Sequence, residues 1–569
     1  GLGDVYKRQV SVDEEIYLDR LKGLSVDEHI ERILTFLSFK LSTYKLQEGF
    51  GIQLDIPYIE ESVAKVEKIV QDCKDELESI LPPIAKYSKK SKPKGDPYKK
   101  NGELTVSYQS WEKVKEDYRN KTVDERGSRL VLLGKNEPTV LVDGEERSRP
   151  VDDIEEFLVL KSYEKANARS PGQIKDFLFS HGWVPENFNE IEDKKEKAVW
   201  EEELAEWKKI KGRRPPKPQK PEPRKVPQTT VDGEDGKELC PSVEAMADDY
   251  PEIRVYSNMN LWAHRLGVLK GFLKNCDETG RIKASAKGFT NTLRMCHAQV
   301  VNLVGVDKKG GDMIRGAFIA DEGQIEVGSD LASLEDRTKH HFMLPYDPNY
   351  VSTMMEDDFD PHLLMAVTAG FITQAEMDEY KAGNKKPHVI KGRKLGKSTN
   401  YSAVYGAGAP KIAQTAKVDD SVGKQLHEAY WNLNWSVQAI AADQALVKLE
   451  KKDKNYYHTL WLVNPVNGFC YSLRAEKDIF STLCQGTGSF FFDMWVKNIL
   501  RRQKEVFGVN KLQLQMHDEI MYSFKNTEKL KNIMEDVIRN SIQDVNEEFL
   551  LRRKLDVDVQ FGHRYSEIH

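Results

Sequence analysis

The chain has 569 residues, with 85 Lys and Arg against 91 Asp and Glu, and a mean hydropathy of −0.60. That length supports several domain-sized units rather than one small stapled module. No stretch approaches the roughly 20 apolar residues of a membrane-spanning helix. The net charge of −6 argues against a uniformly basic nucleic-acid binder, although a whole-chain sum is silent on local clusters. Six dispersed cysteines (Cys73, Cys240, Cys276, Cys296, Cys470, Cys484) without CxxC spacing indicate neither a zinc site nor a disulfide framework, and fit a reducing, cytoplasmic setting.

The first nine residues, Gly-Leu-Gly-Asp-Val-Tyr-Lys-Arg-Gln, hold neither an initiator Met nor the apolar core of a signal peptide. They read as an artefact at the start of a truncated fragment. From about Val12 to Leu81 apolar residues recur at helical spacing, through Ile30-Ile33-Leu34-Leu37 and Val63-Val66-Ile69-Val70, with a turn expected at Gly49-Phe50-Gly51-Ile52. Lys86 to Lys100, dense in Lys, Pro and Gly, is expected as a basic insertion, followed by short strands at Arg129–Leu133 and Thr139–Val142. Lys208 to Pro227 combines six cations, Arg213 to Lys225, with six prolines. It is expected as an extended, polyproline-like surface loop, either a solvated linker or a phosphate-contacting segment.

Further on, Phe318-Ile319-Ala320 and Gln324–Asp330 alternate like two strands joined at Asp321-Glu322-Gly323, with Asp330 at a strand end. Leu331–Arg337 then enters a helix that keeps Glu335 near Asp330. Alone, an Asp before a helix is a candidate N-cap. The run Lys391–Tyr401 sets Arg393, Lys397 and Tyr401 along one helix face. Two cations and a ring suit a nucleoside triphosphate, although this helix alone is better explained as an ordinary solvated basic face. Gly396 inside this helix costs about 1 kcal/mol relative to Ala. Finally, Lys511–Met516 alternates like a strand, and His517-Asp518-Glu519 forms a tight turn before Ile520–Phe524. Adjacent carboxylates there need solvent or a cation, so a plain acidic turn and a metal site both remain open.

The order of these elements is more specific than any of them. Asp330 on a strand, the Arg393/Lys397/Tyr401 helix ending Tyr401-Ser402-Ala403-Val404-Tyr405-Gly406-Ala407-Gly408, and the His517-Asp518-Glu519 hairpin resemble motifs A, B and C of family A DNA polymerases, most closely the phage T7-type subgroup. Thr279-Gly280-Arg281 with Gln299–Leu303 is similar to the family's TGR…NLQNIP segment, stretched by several residues. Asp360-Pro361-His362 resembles its D-I-H, and Gln485-Gly486-Thr487 its QGT. Departures are Ser402 for a usual glycine, Asp336 for an apolar residue, and Ser481 for an asparagine.

The resemblance implies an α+β right hand: an amino-terminal remnant over 1–23, a thumb over 24–268 with basic insertions at about 84–166 and 188–243, palm over 269–346 and 455–569, and fingers over 347–454. It implies Asp330, Asp518 and the Leu331 backbone carbonyl as ligands of two Mg²⁺ ions. Arg393, Lys397 and His362 would meet the triphosphate, and Lys397 would also donate a proton. Glu335 with Tyr401 would exclude a ribose 2′-hydroxyl, and Tyr405 would stack near the templating base. Arg281, Gln485 and His517 would contact the primer or minor groove. The implied partners are primer-template DNA, dNTPs and a thioredoxin-like processivity factor at the thumb insertion; the implied setting is phage or viral genome replication in the host cytoplasm. The family's exonuclease domain does not fit before Gly49 and is expected to be lost by truncation or never present. The competing expectations are a single-subunit RNA polymerase, disfavoured by Glu335 and Glu519, and an inactive DNA-binding replication accessory.

Overall fold

The computed structural model describes residues 26–134, 139–142, 145–148, 150–210, 215–232, 237–404, 406–416, 418–448 and 460–568. The chain divides into two compact units, one formed by its start up to Ser62 together with Val268 onward, the other by Val63–Gly267. Helices and mainly antiparallel strands are mixed in both, so the protein is α+β.

The first unit opens with α1 (Val26–Phe50). Its buried positions Phe36, Lys40, Thr43, Tyr44 and Gln47 recur at helical spacing and make one face. The Phe36 ring enters the main core, 5.0 Å from that of Phe469 and 5.6 Å from that of Phe490. Lys40 is ion-paired with the buried Asp493, and Gln515 Nε2 donates to Gln47 Oε1 at 3.1 Å. These contacts fix α1 in the first unit, whereas the sequence grouped it with the segment 24–268. The expected turn follows, with Gly51 at φ +61°, a conformation open to glycine at no steric cost. β1 (Ile52–Leu54) comes next.

Beyond Val268 come β2 (Arg281–Ile282), a hairpin of β3 (Ser285–Phe289) and β4 (Met295–Ala298), then β5 (Phe318–Ile319) and β6 (Gln324–Leu331). The last two are the strands expected on either side of Asp321-Glu322-Gly323, but they do not pair with each other. β5 pairs with β1 in a small sheet ordered β2-β1-β5, and Asp321-Glu322-Gly323 hands the chain to a different sheet. Alternation specifies a strand but not its partner, and pairing with β1 buries Leu54 and Phe318 together.

The helices α2 (Leu334–Met343), α3 (Pro361–Thr368), α4 (Pro387–Ala403) and α5 (Ile479–Phe507) follow, then β7 (Leu514–Met516), β8 (Glu519–Lys525), α6 (Glu528–Glu548) and β9 (Val557–Gly562). The principal sheet is antiparallel, in the order β7-β8-β6-β9. Ile325, Val327 and Leu331 of β6 join one core with Phe491 and Trp495 of α5 and Ile538 and Ile542 of α6. Side chains alternate along a strand, so Glu326, Gly328 and Asp330 share the other face.

The second unit has its own core, with Leu77, Ile174, Phe177, Leu178, Trp183, Cys240 and Met259 buried. The start of the expected basic insertion is a strand: Ile84–Ser91 pairs with Glu156–Glu164, which also pairs with Val131–Leu133. Two of its three lysines are paired across the ladder, Lys86 with Glu164 and Lys89 with Glu156, and Lys90 donates to the Ser110 hydroxyl. The strands expected at 129–133 and 139–142 form as Val131–Leu133 and Thr139–Val142. In the proline-rich segment Lys208 and Lys209 end a helix, 211–214 lie outside the described residues, and 215–223 has no regular structure but is tethered. Trp200 and Trp207, on the helix Lys194–Lys209, donate their indole N–H groups to the carbonyls of Pro218 and Pro215 at 3.1 and 2.7 Å. Arg224–Pro227 then pairs with Phe188–Ile191. Among the described residues no helix is long and apolar enough to cross a membrane. None of the six cysteines is in a disulfide.

Candidate active site

Asp330 is the penultimate residue of β6, opposite Glu519 of β8 on one side and Asp558 of β9 on the other. It does not cap a helix. The cap position of α2 is Ser333, at φ 51° and without a side-chain cap bond. His517 and Asp518 are the two loop residues of the β7–β8 hairpin, closed by the Met516–Glu519 pair, and His517 takes φ 60° as a tight hairpin turn demands. Glu519, expected at the tip, instead begins β8 and is buried. The Leu331 amide donates to the Asp518 carbonyl at 3.1 Å, which brings the two expected catalytic aspartates together at one edge of the sheet.

A cavity of about 360 Å³ lies over this edge, lined by Asp330, Asp518, Glu519, Asp558, Arg315 and His517 among others. Burial, and then the negative charges of Asp518, Glu519 and Asp558, push the Asp330 carboxyl up to about 7. Glu519 is held from below: the Tyr565 hydroxyl donates to its Oε2 at 2.8 Å, and the Arg315 guanidinium sits 4.8 Å from the Tyr565 ring centre. Crowded carboxylates with a nearby backbone carbonyl are hard oxygen donors of the kind Mg²⁺ takes, and a divalent cation would relieve their repulsion. The residues therefore fit the expected metal. Among the described residues no three His, Cys, Asp or Glu side chains gather as a closed metal cage, so phosphate and water oxygens would complete any coordination.

The basic helix forms as α4, which carries Arg393, Lys397 and Tyr401. Arg393 Nε donates to Asp360 Oδ2 at 2.7 Å, while Asp360 Oδ1 caps α3 by accepting the amides of His362 and Leu363 at 2.9 and 3.0 Å. Burial works against this carboxylate, but the Arg393 bond and the two amides outweigh it and hold Asp360 below its ordinary range. Gly396 has a packing reason: a Cβ there would lie 2.1 Å from the His362 carbonyl oxygen. The close approach sets the His362 and Tyr401 rings 5.7 Å apart. Burial, reinforced by Arg393 and Lys397 against the pull of Asp360, lowers the His362 imidazole below its usual value.

Arg393, His362 and Tyr401 are thus gathered with Lys397 one turn from each end of the set. Glu335 and Tyr401 are both exposed, Tyr401 at 60%, and no hydrogen bond joins them among the described residues. Tyr405 lies outside the described residues. Arg281 on β2 is ion-paired with Asp321 and donates to the Phe50 carbonyl at 3.4 Å, and Gln485 is half-buried on α5. Ser402 returns its hydroxyl to the Ser398 carbonyl at 2.7 Å, so a serine in place of the usual glycine leaves no orphaned polar atom. Sequence reasoning missed Asp558, Arg315 and Tyr565. The first had a signal, an acid inside the alternating Val557-Asp558-Val559; Tyr565 meets Glu519, and Arg315 meets Tyr565, only through the fold.

The profile of DNA polymerase family A matches residues 244–567. The chain belongs to that family. It is 23% identical over 323 residues to the DNA-directed DNA polymerase of Enterobacteria phage T3, across 53% of this chain and 43% of that protein. The enzyme of Escherichia phage T7 is 22% identical over the same shares, and thermostable DNA polymerase I of Thermus filiformis is 24% identical over 52% of this chain and 32% of its own length. This family A chain therefore spans less than half the length of these curated relatives. Among solved structures it is similar to the POL domain of Pol1 from M. smegmatis, in complex with DNA primer-template and dNTP. The TM-score is 0.55 and the identity 14%, covering 93% of this chain and 70% of that one, which is a likeness of fold.

Proposed function

We propose that this chain is a template-directed DNA polymerase that adds deoxynucleotides to a primer 3′ end, in phage or viral genome replication. The observation that carries the reading is that Asp330 and Asp518 line one cavity where the end of β6 meets the β7–β8 turn, joined by the Leu331–Asp518 backbone bond. In this reading the principal sheet is the palm, 347–454 the fingers, and Val63–Gly267 the thumb, narrower than 24–268 because α1 and β1 pack in the first unit. Asp330 and Asp518, with the Leu331 carbonyl, would hold two Mg²⁺ ions, which supply charge neutralisation at the attacking and leaving oxygens of an in-line phosphoryl transfer.

Arg393 and Lys397 bind the β and γ phosphates, assisted by His362, and Lys397 hands a proton to the departing pyrophosphate. Tyr401 packs against the sugar, and Glu335 closes the space that a 2′-hydroxyl would occupy. Tyr405 stacks near the templating base, and Arg281, Gln485 and His517 hold primer or minor-groove atoms. The thioredoxin-like factor rests on the resemblance alone and is not carried forward; the insertion that would receive it folds around its own Trp111–Phe157 core. Primer extension with Mg²⁺ tests the proposal: the parent extends and Asp518→Ala does not, whereas equal extension by both overturns it.

A further inference from the structure

The loop between α6 and β9, residues 549–556, carries three consecutive cations, Arg552-Arg553-Lys554, and α2 carries Arg337 and Lys339. The fold bonds the two segments together. Arg337 Nη1 donates to the Lys554 carbonyl at 2.5 Å, the Arg552 amide donates to His341 Nδ1 at 3.2 Å, and Arg552 Nη1 donates to the His341 carbonyl at 3.4 Å. Five cations are thereby held on two adjoining segments, whose acids are Glu335, Asp336 and Asp556.

Those acids do not pair with the cations. Among the described residues Arg337, Lys339, Arg553 and Lys554 form no ion pair. Burial, then the charge of Arg553, lowers the Arg337 guanidinium below its usual value despite Asp556 and Asp558. Two polar atoms within the cluster are orphaned as well: Arg553 Nε and His340 Nδ1 are buried and make no hydrogen bond among the described residues, and His340 is only 6% exposed. Burial lowers its imidazole most, and Lys339, Arg553 and Arg337 add to that against Asp336, so it falls to about 4 and is neutral at pH 7. Three cations therefore bear on one buried, unpartnered ring. Buried polar atoms left without partners cost free energy that a ligand would recover. Arg337, Lys339 and Arg553 are half-buried and Lys554 is exposed, so the cluster is open to an anion from solvent.

We propose that α2 and the α6–β9 loop form a binding site for a polyphosphate anion, in which Arg337 and Arg553 pair with its oxygens, His340 donates to one of them, and Lys339 and Lys554 supply further charge. A guanidinium binds phosphate oxygens through a fork of N–H donors, and two linked phosphates offer oxygens enough to meet two such forks at once. The site is built on other elements than Arg393 and Lys397 of α4. It takes no part in the primer extension proposed above.

The test is calorimetric titration of the full chain with pyrophosphate, orthophosphate and dCTP in the absence of divalent ions. Arg393→Gln serves as the reference protein, which removes a competing cation on α4; Arg553→Gln and Arg553→Lys are added to it, with the melting temperature recorded for each. Arg553→Gln should raise the Kd for pyrophosphate roughly tenfold, the scale of one lost charge-assisted hydrogen bond, and Arg553→Lys should recover part of the loss. Orthophosphate should bind more weakly than pyrophosphate. Weaker binding of dCTP than of pyrophosphate supports the site with the free anion as its ligand, and equal binding of both, lost together in Arg553→Gln, supports it with a nucleotide tail. No binding of pyrophosphate, or the same Kd in the reference and in Arg553→Gln, overturns the site, and orthophosphate binding as tight as pyrophosphate overturns its polyphosphate character. Primer extension by Arg553→Gln alone should match the parent; a loss of extension would place Arg553 in the polymerase site and overturn a separate one.

Discussion

The amide of Leu331 donates to the carbonyl of Asp518 at 3.1 Å. This bond lies between the end of β6 and the β7–β8 turn, so the separation of the two aspartates is set by backbone rather than by side-chain torsions. Such a scaffold holds like charges close at some cost in stability, which a cation offsets.

Asp330→Asn should therefore separate stability from activity. Without divalent ions the variant should melt above the parent at pH 8, because one of the crowded charges is gone. Addition of Mg²⁺ should raise the melting temperature of the parent and leave that of the variant nearly unmoved, since only a state that binds the ion gains from it. Primer extension should fall by roughly a thousandfold or more, as expected when charge stabilisation in a transition state is lost. An equal Mg²⁺ shift in both proteins would detach Asp330 from the metal.

Glu326 lies on the same face of β6 and is almost wholly buried, with neither carboxylate oxygen hydrogen-bonded among the described residues. Burial, then the charge of Asp321, pushes it up to about 8 despite Arg281 and Lys511. The folded pKa is above the unfolded value, so the folded state holds the proton more tightly. The contribution is favourable below the unfolded pKa near 4 and is lost as pH rises towards 8. Glu326→Gln should be more stable than the parent at pH 8, by on the order of a few kcal/mol, and the gap should close towards pH 4. Denaturant melts across that range check it, and a gap independent of pH would contradict the burial of an ionisable group.

Gly396 shows where sequence and fold each carry the information. The sequence places Arg393, Lys397 and Tyr401 on one helix face and registers the glycine only as a helix penalty. The structure supplies the neighbour, the His362 carbonyl, which no local pattern could name. Strands and helices with strong alternation or periodicity, such as β6, β7 and α4, were legible because their burial pattern is written in consecutive residues. The pairing of β5 with β1, the Ile84–Ser91 strand under its lysines, and the Tyr565–Glu519 bond were not, because each depends on a partner distant in the chain. The clustering of Asp330 and Asp518 was legible through the order of their motifs, while Asp558 and Arg315 beside them needed the fold.

Gly396→Ala should force α3 and α4 apart, since its Cβ would meet backbone at 2.1 Å and backbone cannot rotate away. Overpacking of this kind costs about 1–3 kcal/mol. In the polymerase reading the displaced His362 and Tyr401 weaken nucleotide binding, so the KM for dNTP should rise several-fold while primer-template affinity stays close to that of the parent. Steady-state kinetics with a primer-template binding control separates the two, and an unchanged KM would remove the helix contact from the nucleotide site.

Glu335 tests the sugar assignment most directly. It stands exposed at the start of α2, after a Ser333 turn at φ 51°, and Tyr401 is exposed on α4. Steric exclusion of a 2′-hydroxyl requires the two side chains to meet when a nucleotide is bound, so the fingers helix must close towards α2. Glu335→Ala removes the wall but leaves Arg393, Lys397 and both aspartates in place. Incorporation of deoxynucleotides should then change little, while the ratio of kcat/KM for a deoxynucleotide over its ribonucleotide should fall roughly 10- to 100-fold, the scale of one lost packing contact in a specificity pocket. Measuring that ratio with matched dCTP and CTP decides it: a parental ratio would mean that Glu335 and Tyr401 never close on the sugar, and that discrimination must be sought elsewhere on α4.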